Sequence, residues 1–165
     1  MTKHQVDVAA ESLVASMLSQ AGYDVFVQYG ANQPGYDLVA IKADRILRVS
    51  VKGTQQAGWM FSAGLIKAAA GASDKYHKAA DAWLMKHGPE LVFAYVQFRG
   101  VSIGQMPEVY LARAKDVAEH VKMGKRGDGD STLRWKHTWK SGRVKGCTDG
   151  IPEAWTFSQQ RIDSI

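Results

Sequence analysis

The chain has 165 residues, 45% of them hydrophobic and 22% charged, a balance that excludes wholesale disorder and suits one compact domain spanning 1–165. No apolar run approaches the roughly 18 residues that cross a bilayer, and the opening Met-Thr-Lys-His-Gln-Val-Asp has no apolar export segment, so neither membrane insertion nor export is expected. The single cysteine, Cys147, excludes an internal disulfide and a thiolate zinc knuckle, which makes a reduced, intracellular and cytoplasmic setting the expectation, with nucleoid association left open.

Net charge is +5, but it is concentrated. Residues 122–145 hold Lys122, Lys125, Arg126, Arg134, Lys136, Lys140, Arg143 and Lys145 against Asp128 and Asp130. That stretch alone carries +6, and taking +6 from a total of +5 leaves the remaining chain at −1. A basic stripe on a near-neutral body points to a polyanionic partner, nucleic acid before membrane, or to a solvated tail.

The first element is a helix, because Val6, Ala10, Leu13, Val14, Met17, Leu18 and Ala21 recur at three- and four-residue spacing and Gly22 follows as a stop. Asp7 and Glu11 lie one turn apart at the border of that stripe. Short β-branched runs then predict strands at 24–28, 36–42 and 46–52, with a polar loop over 29–35 and a turn at Ala43-Asp44. The chain loosens through Gly53, Gly58 and Gly64. A helix is expected over 74–87, strands over 91–98 and 109–112, a helix over 114–123 and a flexible loop over 124–131. Residues 134–140 alternate, with Trp135, His137 and Trp139 on one face of a strand and Arg134, Lys136 and Lys140 on the other. Helices alternating with strands make this an α/β chain with a central mixed sheet flanked by helices.

The hairpin at 36–52 brings chemistry together. If it turns at Ala43-Asp44, Asp37 faces Ser50, and Lys52 shares the face of Ser50. Leu47, Val49 and Val51 point to the other face. A carboxylate, a hydroxyl and an ammonium then meet at one end of the hairpin, with Glu11 able to join from the first helix.

Glu11, Gly35-Tyr36-Asp37 and Val49-Ser50-Val51-Lys52 together resemble the PD-(D/E)xK nuclease superfamily, most sharply over 34–54. Pro34 stands three positions before the aspartate instead of one, a departure the family often tolerates. The resemblance implies a restriction-endonuclease-like core over about 5–113, followed by a basic, Trp-rich extension over about 122–165. It also implies a Mg²⁺- or Mn²⁺-dependent endonuclease acting on DNA, with homodimerisation expected by analogy. Carried over position by position, Glu11 is the helix acid, Asp37 the metal-binding aspartate and Lys52 the catalytic lysine. Ser50 stands where the family has an acid or glutamine. The metal set would be Asp37, Glu11 through water, and the Val51 carbonyl. Phosphodiester hydrolysis needs neutralised phosphoryl oxygens and an activated water, and Mg²⁺ usually takes only one or two protein carboxylates.

Other residues bear on binding. Lys75 and Lys78 open a helix, and Arg134, Lys136 and Lys140 line the basic face at 134–140, so all five are candidate phosphate contacts. Asp128-Gly129-Asp130 lacks the glycine and terminal glutamate of a calcium loop. The five histidines are scattered, and there is neither a Gly-rich phosphate loop with lysine nor a Gly-x-Ser-x-Gly elbow. Two alternatives stay open. One is a weak or inactive nucleic-acid-binding protein on the same fold. The other is a protein-interaction module using the Trp-rich last third.

Overall fold

The first helix starts on a capping box. Thr2 Oγ1 accepts from the Gln5 amide at 3.3 Å while Gln5 Oε1 accepts from the Thr2 amide at 2.8 Å. It stops where Gly22 takes a φ of +85°, letting the Tyr23 amide reach back to the Leu18 carbonyl. In a computed structural model describing residues 1–28, 35–61 and 63–165, the elements that follow this helix, α1 (Lys3–Gln20), are β1 (Asp24–Val27), β2 (Leu38–Lys42), β3 (Arg45–Thr54), β4 (Gly58–Met60), α2 (Ala63–Ala68), α3 (Lys75–His87), β5 (Val92–Gln97), β6 (Glu108–Arg113), α4 (Ala114–Gly127), β7 (Thr132–Arg134), β8 (Lys136–Thr138), β9 (Thr148–Gly150), a 3₁₀ turn (Glu153–Trp155) and α5 (Gln159–Ser164). The loop expected over 29–35 therefore lies, but for Gly35, outside the described residues, as does Pro34.

The fold is α/β, and the chain forms two compact units that interleave in sequence. Residues 1–56, 91–113 and 154–165 make the first; residues 57–90 and 114–153 make the second. Residues 122–153 thus belong to the second unit, and 154–165 return to the first.

The first unit is a five-stranded mixed sheet in the order β1-β2-β3-β5-β6. Only β3 and β5 run parallel; the other neighbours are antiparallel. One face is apolar by strict alternation. Leu38 and Ala40, Leu47, Val49 and Val51, Val92, Ala94 and Val96, and Val109 and Leu111 pack with Ala10, Val14 and Leu18 of α1 and with Ile162 of α5. Strand β5 is buried at every position, which is why Leu91 to Val96 reads as an unbroken apolar run. Arg45 ties α5 down by donating to the Ile162 and Ile165 carbonyls.

The second unit holds α2, α3, α4 and two small two-stranded sheets, β4 with β7 and β8 with β9. Helix α4 unwinds after Met123. Gly124 is extended, and Lys125 and Arg126 both take positive φ, at 53° and 59°. The alternating run 134–140 is not the one strand expected from its pattern. It is split between β7 and β8, which have different partners, because the main chain turns at Trp135. There the amide donates to Ala57 and the carbonyl accepts from Ile151, at 3.1 and 3.2 Å.

Candidate active site at the open end of the central hairpin

The hairpin forms in the expected register. Leu38 pairs with Val49 and Lys42 with Arg45, leaving Ala43 and Asp44 as the turn, with Ala43 at a φ of 51°. Strand β2 begins at Leu38 rather than Tyr36, so Asp37 stands just before it. The Asp37 backbone is still held, since its amide donates to the Val49 carbonyl at 2.9 Å. Its side chain therefore overhangs β3 at the end where β3 runs on to Thr54.

Three groups on β3 converge on one carboxylate oxygen. Asp37 Oδ2 accepts from the Val51 amide at 2.6 Å and from Ser50 Oγ at 3.2 Å, and Lys52 Nζ lies 3.7 Å away. Among the described residues no hydrogen bond reaches Oδ1. Ser50 is buried, whereas the side chains of Asp37 and Lys52 are 29% and 48% exposed. The acid and the amine thus open to solvent over a buried hydroxyl. The Val51 carbonyl lies on the same side as its amide, because both groups of one residue in an extended strand point the same way. It therefore faces the Asp37 side of β3.

Glu11 approaches from α1. The approach depends on Gly53, a residue whose role a loosening chain does not suggest. A Cβ there would sit 2.8 Å from Val6 Cγ1 and 3.0 Å from both Ala10 Cβ and the Val6 carbonyl. Only glycine lets α1 lie this close to β3. Burial raises the Glu11 pKa above the ordinary value of 4.5; the negative charges of Asp37 and Asp7 raise it further, and Lys52 and His4 partly offset them. Asp7 is itself paired with Lys3 at 2.6 Å. Among the described residues no group of three or more His, Cys, Asp or Glu is arranged to hold a metal ion. The oxygens at this corner, the Asp37 carboxylate and the Val51 carbonyl with the Glu11 carboxylate within electrostatic reach, are of the kind Mg²⁺ or Mn²⁺ would take while keeping several waters, and not those of a closed zinc site.

The basic candidates lie in the second unit and fall into two groups. Arg134 does not stand on a free face. Its Nε and Nη2 donate to Asp130 at 2.9 and 3.3 Å, and Asp130 is only 3% exposed. Lys125 Nζ adds a second cation at 3.5 Å. Burial would raise the Asp130 pKa, but hydrogen bonding and charge from Arg134, with Lys125 and the Ser131 amide, hold it below the carboxylate norm of 3.8. Trp139 is clasped by Lys125 at 5.0 Å and Arg134 at 5.1 Å, with its Nε1 donating to Asp149 at 2.6 Å. Lys136 lies over the Trp135 ring at 4.5 Å. Both tryptophans are half-buried and engaged with cations. Lys78 pairs with Asp74 at 3.0 Å, and Lys75 lies 5.2 Å over Tyr76. Lys136 and Lys140 are exposed.

No helix is long and apolar enough to cross a membrane among the described residues. Comparison of the chain with protein-family models, with curated proteins and with solved structures found no match.

Proposed function

We propose that the protein is a metal-dependent endonuclease with a restriction-endonuclease-like core, hydrolysing phosphodiester bonds in DNA. The observation that carries the reading is the convergence of Asp37, Ser50, Val51 and Lys52 at the solvent-facing end of β3, with Lys52 Nζ 3.7 Å from Asp37 Oδ2. A structural ion pair needs no adjacent carbonyl and no second acid within electrostatic reach; this corner of the sheet has both, and among the described residues Asp37 Oδ1 accepts no hydrogen bond.

Asp37 Oδ1, the Val51 carbonyl and, through water, Glu11 would hold Mg²⁺ or Mn²⁺. The ion, when bound, supplies positive charge that neutralises the phosphoryl oxygens and acidifies water. The chain's own groups do the rest. The Val51 amide and Ser50 hydroxyl hold Asp37 in one rotamer. Lys52 orients the attacking water and stabilises negative charge as the water oxygen bonds to phosphorus and the phosphorus bond to the leaving sugar oxygen breaks.

The test is plasmid cleavage with Mg²⁺ or Mn²⁺ by wild type, Asp37→Ala and Lys52→Ala. Wild-type cleavage that both variants lose supports the proposal; equal trace nicking by all three rejects it. Ser50 favours a second reading, a DNA-binding protein with little or no turnover, because a hydroxyl there removes one formal charge from the metal set. That reading predicts steeply salt-dependent DNA binding without cleavage.

A further inference from the structure

The segment between β5 and β6 presents the most exposed apolar side chain described in the chain. Ile103 is fully exposed at 106% of its reference area, and Met106 is 68% exposed. The segment is nonetheless held in one shape. The Gln105 amide donates to the Ser102 carbonyl at 3.1 Å, and Gln105 Oε1 accepts from the Ser102 amide at 3.0 Å. Gly104 sits at a φ of +86°. A four-residue turn with glycine at positive φ in its third place is a type II turn, and it puts Ile103 at the apex.

Its root adjoins the candidate site. Strands β3 and β5 are parallel with Lys52 beside Tyr95 and Thr54 beside Gln97, so both end at the same edge. The Phe98 amide donates to the Thr54 carbonyl at 2.8 Å, and Gln97 Nε2 donates to the Gln56 carbonyl at 3.1 Å. The segment thus leaves the sheet roughly 7 Å beyond Lys52, two residues of strand rise. Exposed Arg99 stands at its start, and 98–107 contains no acid. Its charge suits a polyanion. One isoleucine and one methionine are too little for a stable protein interface, which needs about 800 Å² a side, but they match the apolar wedges that enter a base step.

We propose that Ile103 is a wedge that inserts between base pairs of duplex DNA held over Asp37 and Lys52, opening one step beside the scissile phosphate. This deepens the nuclease reading and rests on it for the position of the duplex. The test uses Lys52→Ala protein, so that DNA stays whole, and a short duplex carrying 2-aminopurine at several adenine positions. Binding should brighten the probe by unstacking it. Adding Ile103→Ser should abolish the brightening and weaken binding about tenfold, as losing one buried isoleucine implies, and Ile103→Leu should restore both. Brightening that survives Ile103→Ser, or no brightening with Lys52→Ala protein whether or not it binds, overturns the wedge. Plasmid cleavage by wild type is read separately: brightening without cleavage keeps the wedge and rejects the nuclease, and cleavage without brightening does the reverse.

Discussion

The Val51 amide donates to Asp37 Oδ2 at 2.6 Å, so the strand that carries Lys52 also fixes the carboxylate facing it. A backbone donor cannot be removed by changing the side chain at Val51. The charge of Asp37 and its position are therefore separable by mutation.

Asp37→Asn keeps an acceptor for that amide and removes the charge. It should cost about 1 kcal/mol of stability or less, the scale of one hydrogen bond, while lowering cleavage by at least about 100-fold. Urea denaturation and plasmid nicking measure the two. A parallel loss of both would mean that Asp37 is structural.

Ser50→Glu places an acid, as the resembled nucleases have there, at a buried position beside Asp37. Without metal the variant should be less stable, because a buried carboxylate is costly and repels its neighbour. Mg²⁺ should recover that loss, since a ligand bound only by the folded state stabilises it in proportion to its affinity. Calorimetric melting with and without Mg²⁺ checks this. A melting loss that Mg²⁺ does not touch would show that a carboxylate at position 50 meets no metal.

The raised pKa of Glu11 predicts a pH dependence of known sign. A carboxyl that holds its proton more tightly folded than unfolded contributes stability that is complete below the ordinary value of about 4.5 and is lost as pH rises through the folded pKa. Wild type should therefore lose stability relative to Glu11→Gln from mildly acid to neutral pH. Mg²⁺ should narrow the gap by replacing the repulsion from Asp37 with attraction to a shared cation. Parallel denaturation series for the two proteins test the sign.

Asp130 runs the opposite way. Its pKa is held low, so its contribution is present above about 3.8 and disappears as pH falls through the folded value. Asp130→Ala leaves Arg134 and Lys125 without their shared carboxylate and should cost about 3–5 kcal/mol. Fluorescence of Trp139, which both cations clasp, should change in the same transition.

The hairpin was legible in the sequence because its signals are local and periodic. Alternating Leu38, Ala40, Leu47, Val49 and Val51 fix which face is buried, and a two-residue turn fixes the register, so the meeting of Asp37, Ser50 and Lys52 follows by counting. The helices over 3–20 and 75–87 were legible by the same logic at a period near four. What was not legible depends on long-range partners. The break at Trp135 reflects hydrogen bonds to Ala57 and Ile151, neither readable from an alternating pattern. Nor could sequence show that Arg134 turns inward, because that depends on Asp130 being buried. Strands β4 and β9 are three residues each, too short to show a period, and α5 is only six.

Gly53 is the instructive case, since its signal is a missing side chain. Read as a loosening of the chain, it is a point of close approach between β3 and α1. Gly53→Ala should push α1 away from the strand at Val6 and Ala10 and cost about 1–3 kcal/mol, the usual penalty for overpacking. The same shift carries Glu11 away from Asp37, although no candidate catalytic side chain is altered. On the proposed nuclease function, the residual folded protein should therefore cleave DNA more slowly at saturating substrate, and the pH-dependent stability difference between it and its Glu11→Gln derivative should shrink. Measured in the folded fraction, unchanged cleavage together with an unchanged pH series would show that α1 supplies packing to this sheet and nothing to the chemistry at its edge.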